Sequence, residues 1–322
     1  MKTETIQKKK IEISSFALYI GAVIILLGFT VICHIAGKEF LTLRNIQNII
    51  SQSSCVAVVA IGASLVILTG GIDLSAGSII GFVGIFSAML IKHNIPIAVA
   101  FLIGIAAGAI IGAINGVVIS YGKVPAFIAT LGTMNIARGL AYLTNGGKSL
   151  SGFPTVLSDL MGTKVFGVTP ISVVYVFVLF AIMFFVMHYT RFGRRIYALG
   201  GNVNAAKLSG IRVRRLEVSV YVLAGIFSAI AGLMLLSRLF YADPNTGSGY
   251  EMDAIASCVI GGISLSGGRG KILNTLVGAL ILGMLTCGLQ ILNISTHWQT
   301  IISGVVIVGA VYLDKAKERK AE

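Results

Sequence analysis

Charge is what this sequence has least of. Asp, Glu, Lys and Arg make up 11% of its 322 residues, where a soluble domain carries about 25%. Acid is the scarcer sign, with 12 Asp and Glu against 25 Lys and Arg. Few of the acids, Asp73 and Asp253 among them, fall within or at the edge of an apolar run. Proton- or sodium-coupled carriers use intramembrane carboxylates with partners, so this scarcity argues against an ion-coupled carrier or channel. The four cysteines (Cys33, Cys55, Cys258, Cys287) form no CxxC pair and lie in or beside apolar runs, which suits small buried hydrophobes. His34, His93, His188 and His297 show no metal-ligand spacing. There is no HExxH, no GxSxG and no nucleophile with an evident base. GGRGK at 267–271 fails as a phosphate loop, because Leu265 stands where its first Gly belongs and Ile272 follows Lys271. A soluble enzyme, a nucleotide-binding module and a membrane enzyme with clustered His or acid groups are thereby excluded.

What fills the chain instead is hydrocarbon. The sequence is 56% hydrophobic with a mean hydropathy of +0.93. Continuous apolar runs recur near the length of about 20 residues that crosses a bilayer core. They do not alternate as barrel strands do, so the fold expected is all-α, a polytopic membrane protein. The runs predict about ten transmembrane helices over 16–36, 51–69, 74–92, 95–120, 124–143, 169–189, 216–239, 253–264, 272–292 and 297–314, the eighth short or broken. MKTETIQKKK precedes the first run, which is long for a signal peptide and reads as an uncleaved helix.

The basic residues orient this array. Placing 1–15, 70–73, 121–123, 190–215, 265–271 and 315–322 inside the cell collects 18 of the 25 Lys and Arg, as the positive-inside rule requires. Segment 190–215 alone holds seven basic residues and no acid. The net charge of +13 is thus a membrane signature and no sign of nucleic-acid binding. Residues 1–322 form a single transmembrane domain, with the 1–15 and 315–322 ends and the 190–215 loop cytoplasmic.

Several features single out candidate residues. GGIDLSAG (70–77) returns as GGISLSGG (261–268), an internal repeat of the kind transporter folds carry. Gly70, Gly71, Asp73 and Ser75 in the first copy match Gly261, Gly262, Ser264 and Ser266 in the second. Asp and Ser share the ability to accept from free N–H groups at a helix start, so Asp73 is expected to cap a helix end at a bend, with direct substrate or proton contact the lesser alternative. Asn115 and Asn135 are amides within spans, able to bond a neighbouring helix or a ligand hydroxyl. Gly104, Gly108, Gly112 and Gly116 form a small-residue stripe suited to close helix packing. Lys123-Val124-Pro125 marks a cytoplasmic turn, and Arg138 is placed to snorkel. Finally, GGNVNAAKLSGI (200–211) predicts a helix of about two turns, capped by Asn202 and ended by Gly210. Either it seats in a cleft on another protein or it is an ordinary connecting loop.

Asn204-Ala205-Ala206-x3-Gly210 resembles the cytoplasmic E-A-A-x3-G loop of ABC importer permeases, with Asn204 in place of the Glu. TGGIDLSAGS (69–78), INGVVISYGKVPAFIATLGTM (114–134) and YEMDAIASCVIGGISLSGGRG (250–270) resemble the ribose/galactose/xylose group of ABC sugar permeases over nearly the whole chain. The resemblance implies a bacterial inner-membrane permease working as two copies, with a separate ABC subunit that binds ATP and Mg and an extracytoplasmic sugar-binding protein. It implies that Asn202, Asn204, Ala205, Ala206, Lys207 and Gly210 couple to that ATPase. It also implies that the chain binds no cofactor or metal and performs no chemistry. A ribose-like monosaccharide is the expected cargo; a nucleoside, a furanone-type signalling sugar or a branched-chain amino acid are the alternatives within the class.

Overall fold

The computed structural model describes residues 2–165, 167 and 169–319, with side-chain environments for 18–165, 167, 169–309 and 311–312. Residues 320–322 of the 315–322 segment lie outside the described residues. The chain order is α1 (Lys2–Ile35), α2 (Leu43–Leu68), α3 (Ala76–Lys92), α4 (Ile97–Ser120), α5 (Ala126–Thr144) and α6 (Thr155–Gly162). A hairpin of two-residue strands, β1 (Lys164–Val165) and β2 (Thr169–Pro170), follows. The rest is α7 (Ile171–Tyr189), α8 (Arg191–Gly201), α9 (Val203–Leu208), α10 (Val213–Leu239), α11 (Tyr250–Ile260), α12 (Ile272–Ile291) and α13 (Thr296–Arg319). The hairpin is the one departure from an all-helical fold among the described residues.

Among the described residues, six helices are long and apolar enough to cross a membrane: Leu18–Ile35 of α1, then α2, α4, α7, α10 and α12; α3 is apolar but shorter. Their burial defines the layers. α2 is the axis, with 83% of its apolar window inside the protein, whereas the figure is 28% for α4 and for α7. The exposed faces of these outer helices carry Leu102, Ile110, Phe177 and Phe185. Apolar residues outward suit a surround of lipid tails, in which exposure of hydrocarbon costs nothing. Four of the five prolines (Pro96, Pro125, Pro154, Pro170) sit at the N-cap positions of α4, α5, α6 and α7, where a missing N–H leaves no helix bond unmade.

Two stretches refine the sequence reading. The eighth expected span, 253–264, is the eleven-residue α11, about 16 Å long at 1.5 Å per residue and so about half a bilayer core. The 240–249 segment that leads to it runs into the bundle: a side chain at Gly247 would meet Ile80 of α3, 2.5 Å from its Cγ2. Segment 190–215 holds two helices, since α8 precedes α9. Its signal was present as Phe192, Ile196 and Leu199 alternating with Arg191, Arg194 and Arg195, an amphipathic pattern that places Ile196 and Leu199 in the core.

The glycine stripe packs α4 against α10. A Cβ at Gly116 would lie 2.7 Å from Val218 Cα, and one at Gly112 would lie 3.2 Å from Val222 Cα and closer still to the Tyr221 carbonyl. Without side chains the two backbones approach directly, and van der Waals contact replaces the hydrophobic drive that lipid does not supply. Gly132 on α5 has nothing within 4 Å of its Cβ position. Gly112→Leu is accordingly expected to destabilise the protein by at least about 1–3 kcal/mol through overpacking, while Gly132→Leu leaves it unchanged. Thermal unfolding of both variants in detergent checks this, and equal midpoints would contradict the packing account.

A glycine junction and a coupling helix

The site begins where α2 stops. Gly70 takes a left-handed φ of +83°, and the chain closes with Gly70 N donating to Ile67 O at 2.9 Å and Gly71 N to Val66 O at 3.0 Å, the paired bonds of a Schellman end. α11 ends the same way one residue later in the repeat, through Gly262 N to Val259 O and Ile263 N to Cys258 O, both 2.9 Å. After each glycine pair a side-chain turn follows. Asp73 Oδ1 accepts from Ser75 N at 2.8 Å and from Ser75 Oγ at 2.6 Å; Ser264 Oγ accepts from Ser266 N at 3.3 Å. The two copies thus repeat a backbone device as well as a sequence.

Asp73 is not the cap of α3. Ser75 holds that position, and Asp73 closes an Asx-turn ahead of it. Ser75 Oγ in turn accepts from Asn115 Nδ2 of α4 at 2.9 Å, and Thr130 of α5 donates to Ile72 O at 3.3 Å. Asp73, Ser75 and Asn115 are all buried, so the turn ties α3, α4 and α5 together by polar bonds within the bundle. Asn135 stands apart: it is exposed and donates to Leu131 O of its own helix at 3.2 Å. After the second copy no helix starts at once. Residues 264–271 form a loop that folds onto the first copy, with Gly268 N donating to Leu68 O at 2.9 Å. α2 and α11 therefore run to the same end of the bundle, and the two copies are related in parallel.

A third backbone closes this junction. A Cβ on Gly200 of α8 would collide with Leu68 O and Gly268 N, whereas one on the neighbouring Gly201 would have nothing within 4 Å. Tyr197 Oη, one turn earlier on α8, donates to Gly270 O at 3.0 Å, and burial pushes this phenol above its ordinary pKa. α8 continues directly into α9. Asn202 Oδ1 caps α9 by accepting from Ala205 N at 3.0 Å. Gly210, at φ +77°, ends it through Gly210 N to Lys207 O and Ile211 N to Ala206 O at 3.0 and 3.1 Å. Asn204, Ala205 and Lys207 are exposed, but Ala206 turns inward at 3% exposure and cannot contribute an outer contact. The sequence reading passed over Leu208, which is 91% exposed, and Val203, which is 43% exposed. Their signal was two large apolar residues, five positions apart, just after the Asn202 cap in a loop rich in small and polar residues.

Two charged residues also sit differently from expectation. Arg138 does not snorkel; its guanidinium donates inward to the carbonyls of Pro244 and, at 3.2 Å, Thr246. Glu251, overlooked in the sequence, opens α11 with Oε1 accepting from Gly249 N at 3.3 Å and Oε2 buried against Gly77. Gly81 lets Arg138, α3 and the 244–246 carbonyls converge, since a Cβ there would lie 2.7 Å from Thr246 O. Among the described residues no group of three or more His, Cys, Asp and Glu is placed to hold a metal.

A bundle of helices long and apolar enough to cross a membrane, with a capped short helix in its basic loop, fits a polytopic membrane protein. The comparisons make this specific. The chain belongs to the family described as branched-chain amino acid transport system / permease component, whose model matches residues 45–311. It is 41% identical to the ribose import permease protein of Escherichia coli (strain K12) over 324 residues, covering 99% of this chain and 100% of that one. Identity to the ribose import permease protein of Bacillus subtilis (strain 168) is 42%, over 98% of this chain and 99% of the relative. The galactose/methyl galactoside import permease protein of Escherichia coli (strain K12) is 38% identical over 94% and 96% of the two chains. No solved structure matches the chain.

Asp73→Asn retains an amide oxygen for both bonds from Ser75 and is expected to leave stability within about 1 kcal/mol of wild type. Asp73→Leu strands the buried Ser75 donors and is expected to lose about 1–3 kcal/mol. Thermal unfolding and membrane abundance measure both. Loss of transport in Asp73→Asn at normal abundance would show that the charge itself is needed.

Proposed function

We propose that this chain is the membrane permease subunit of an ATP-driven ABC importer that moves a monosaccharide, ribose first among candidates. The observation that carries this reading is end-to-end identity near 40% to ribose and galactose import permeases. Counting α3, α5, α11 and α13 with the six long helices gives ten crossings or part-crossings. An even count and the basic 190–215 loop support cytoplasmic ends in a bacterial inner membrane. Two copies of the chain form the pathway, a sugar-binding protein delivers the cargo from outside, and an ABC subunit carries ATP and Mg. The chain holds no catalytic residue.

In this reading α9 seats on the ATPase, with Asn204, Ala205, Lys207, Val203 and Leu208 outward and Asn202 and Gly210 fixing its ends. Closure of the ATPase displaces α9, and α8 is its direct continuation. Gly200 and Tyr197 bear on Leu68–Gly70 and Gly268–Gly270, so the displacement reaches both repeat loops in one step. The Asp73–Ser75–Asn115 bonds pass it on to α3 and α4, whose tilting alternates access. Interiors transmit such shifts because they are close-packed.

Leu208→Asp is expected to abolish recovery of the ATPase with the tagged chain in mild detergent, at unchanged membrane abundance, because an exposed carboxylate replaces an apolar contact. In proteoliposomes containing all subunits, labelled ribose uptake should require ATP and be competed by galactose far better than by leucine. Uptake without ATP, driven by an ion gradient, would overturn the proposal. Competition by leucine alone would change the cargo.

A further inference from the structure

The cytoplasmic ends of α8 and α10 enclose a feature that the coupling account leaves unused. Phe192, Arg195, Gly210, Ile211, Arg212, Arg215, Leu216 and Ser219 surround a cavity of about 480 Å³, the size of a small-molecule site. Arg195, Arg212 and Arg215 are exposed, and their guanidiniums have no hydrogen-bond or ion-pair partner among the described residues. Neighbouring arginines are engaged: Arg194 donates to Tyr189 O at 3.3 Å and Arg214 lies 5.4 Å from the Tyr121 ring centroid. Three like charges around one cavity repel each other, and the positive end of the α10 dipole adds to them, with no acid in its first turn. An anion relieves both, and guanidinium forks match phosphate oxygens.

The rest of the lining says what kind of anion. Phe192, Ile211 and Leu216 are apolar, and Ser219 is six residues past the start of α10, about 9 Å further along a membrane-crossing helix. A free phosphate would leave these apolar side chains unused, whereas a lipid presents a phosphate joined to glycerol and acyl chains that would lie against them. We infer that this cavity binds an anionic phospholipid of the cytoplasmic leaflet, its phosphate held by Arg195, Arg212 and Arg215 and its apolar part against Phe192 and Leu216. The site adjoins Gly210, the residue that ends α9, so lipid occupancy bears on the position of the coupling helix. The inference needs only the membrane setting, and its failure leaves the proposed transport function untouched.

Native mass spectrometry of the full chain in neutral detergent tests it, with added dioleoyl phosphatidylglycerol, dioleoyl phosphatidylcholine or inorganic phosphate. Wild type should retain phosphatidylglycerol over phosphatidylcholine. The variant Arg195→Gln/Arg212→Gln/Arg215→Gln should bind it at least about tenfold more weakly than a control with the same charge, Arg191→Gln/Arg194→Gln/Arg214→Gln. Thermal unfolding verifies both, and the single variant Arg215→Gln replaces the triple if that one does not fold. Equal loss in the two triples, equal retention of phosphatidylcholine, or displacement of the lipid by inorganic phosphate would overturn the proposal, the last by showing a free-anion site. Displacement by the co-purified ATPase would overturn it too, by making the cavity a protein contact.

Discussion

Three backbones meet in this protein with no side chain between them. The end of α2 at Leu68–Gly70, the loop after α11 at Gly267–Gly268 and the end of α8 at Gly200 are in direct contact, fixed by the Gly268 N to Leu68 O bond. Everything distinctive in the architecture converges there. The axial helix ends at it, the internal repeat supplies two of its three parts, and the helix that continues into α9 supplies the third. Such contacts are stiff, because no rotamer can absorb a displacement, and backbone groups away from water must stay paired. A movement of α8 has no slack in which to be lost.

The bundle around the junction is organised by lipid. Its most buried helix is α2, and its outer helices present Leu, Ile and Phe outward. With no hydrophobic force drawing helices together, cohesion comes from small residues at crossings and from polar bonds inside. Gly112 and Gly116 provide the first, and the Asp73–Ser75–Asn115 chain the second. The acid inside the bundle, Asp73, accepts both bonds from Ser75. It holds the turn by which α3 starts anew after α2, and Ser264 performs the same task in the second copy with a hydroxyl, since that task needs an acceptor and no charge.

Much of this was legible in the sequence, for definite reasons. Apolar runs and the Gly stripe report local or one-dimensional physics, and they foretold membrane helices and a face of close helix packing on α4. Asn202 and Gly210 foretold the ends of α9 because caps are local chemistry. What stayed hidden depends on the third dimension. Arg138 reads as a snorkelling residue until the 240–249 segment is seen to fold inward and offer it carbonyls. Ala206 reads as an outer contact until α9 is placed against the bundle. Gly200 and Gly201 are indistinguishable as letters, yet one touches two other backbones and the other touches nothing. The repeat was visible, but not that its two copies touch.

That pair of glycines offers the most direct test of the central claim. In the importer reassembled with its ATPase and binding protein, Gly200→Ala and Gly201→Ala would each be assayed for ATP hydrolysis and sugar uptake at equal membrane abundance. If the junction carries the coupling movement, Gly200→Ala still binds the ATPase and hydrolyses ATP but loses uptake, while Gly201→Ala transports as wild type does. Uptake that is equal in the two variants would contradict the account, and the path from α9 to the helices would have to run elsewhere.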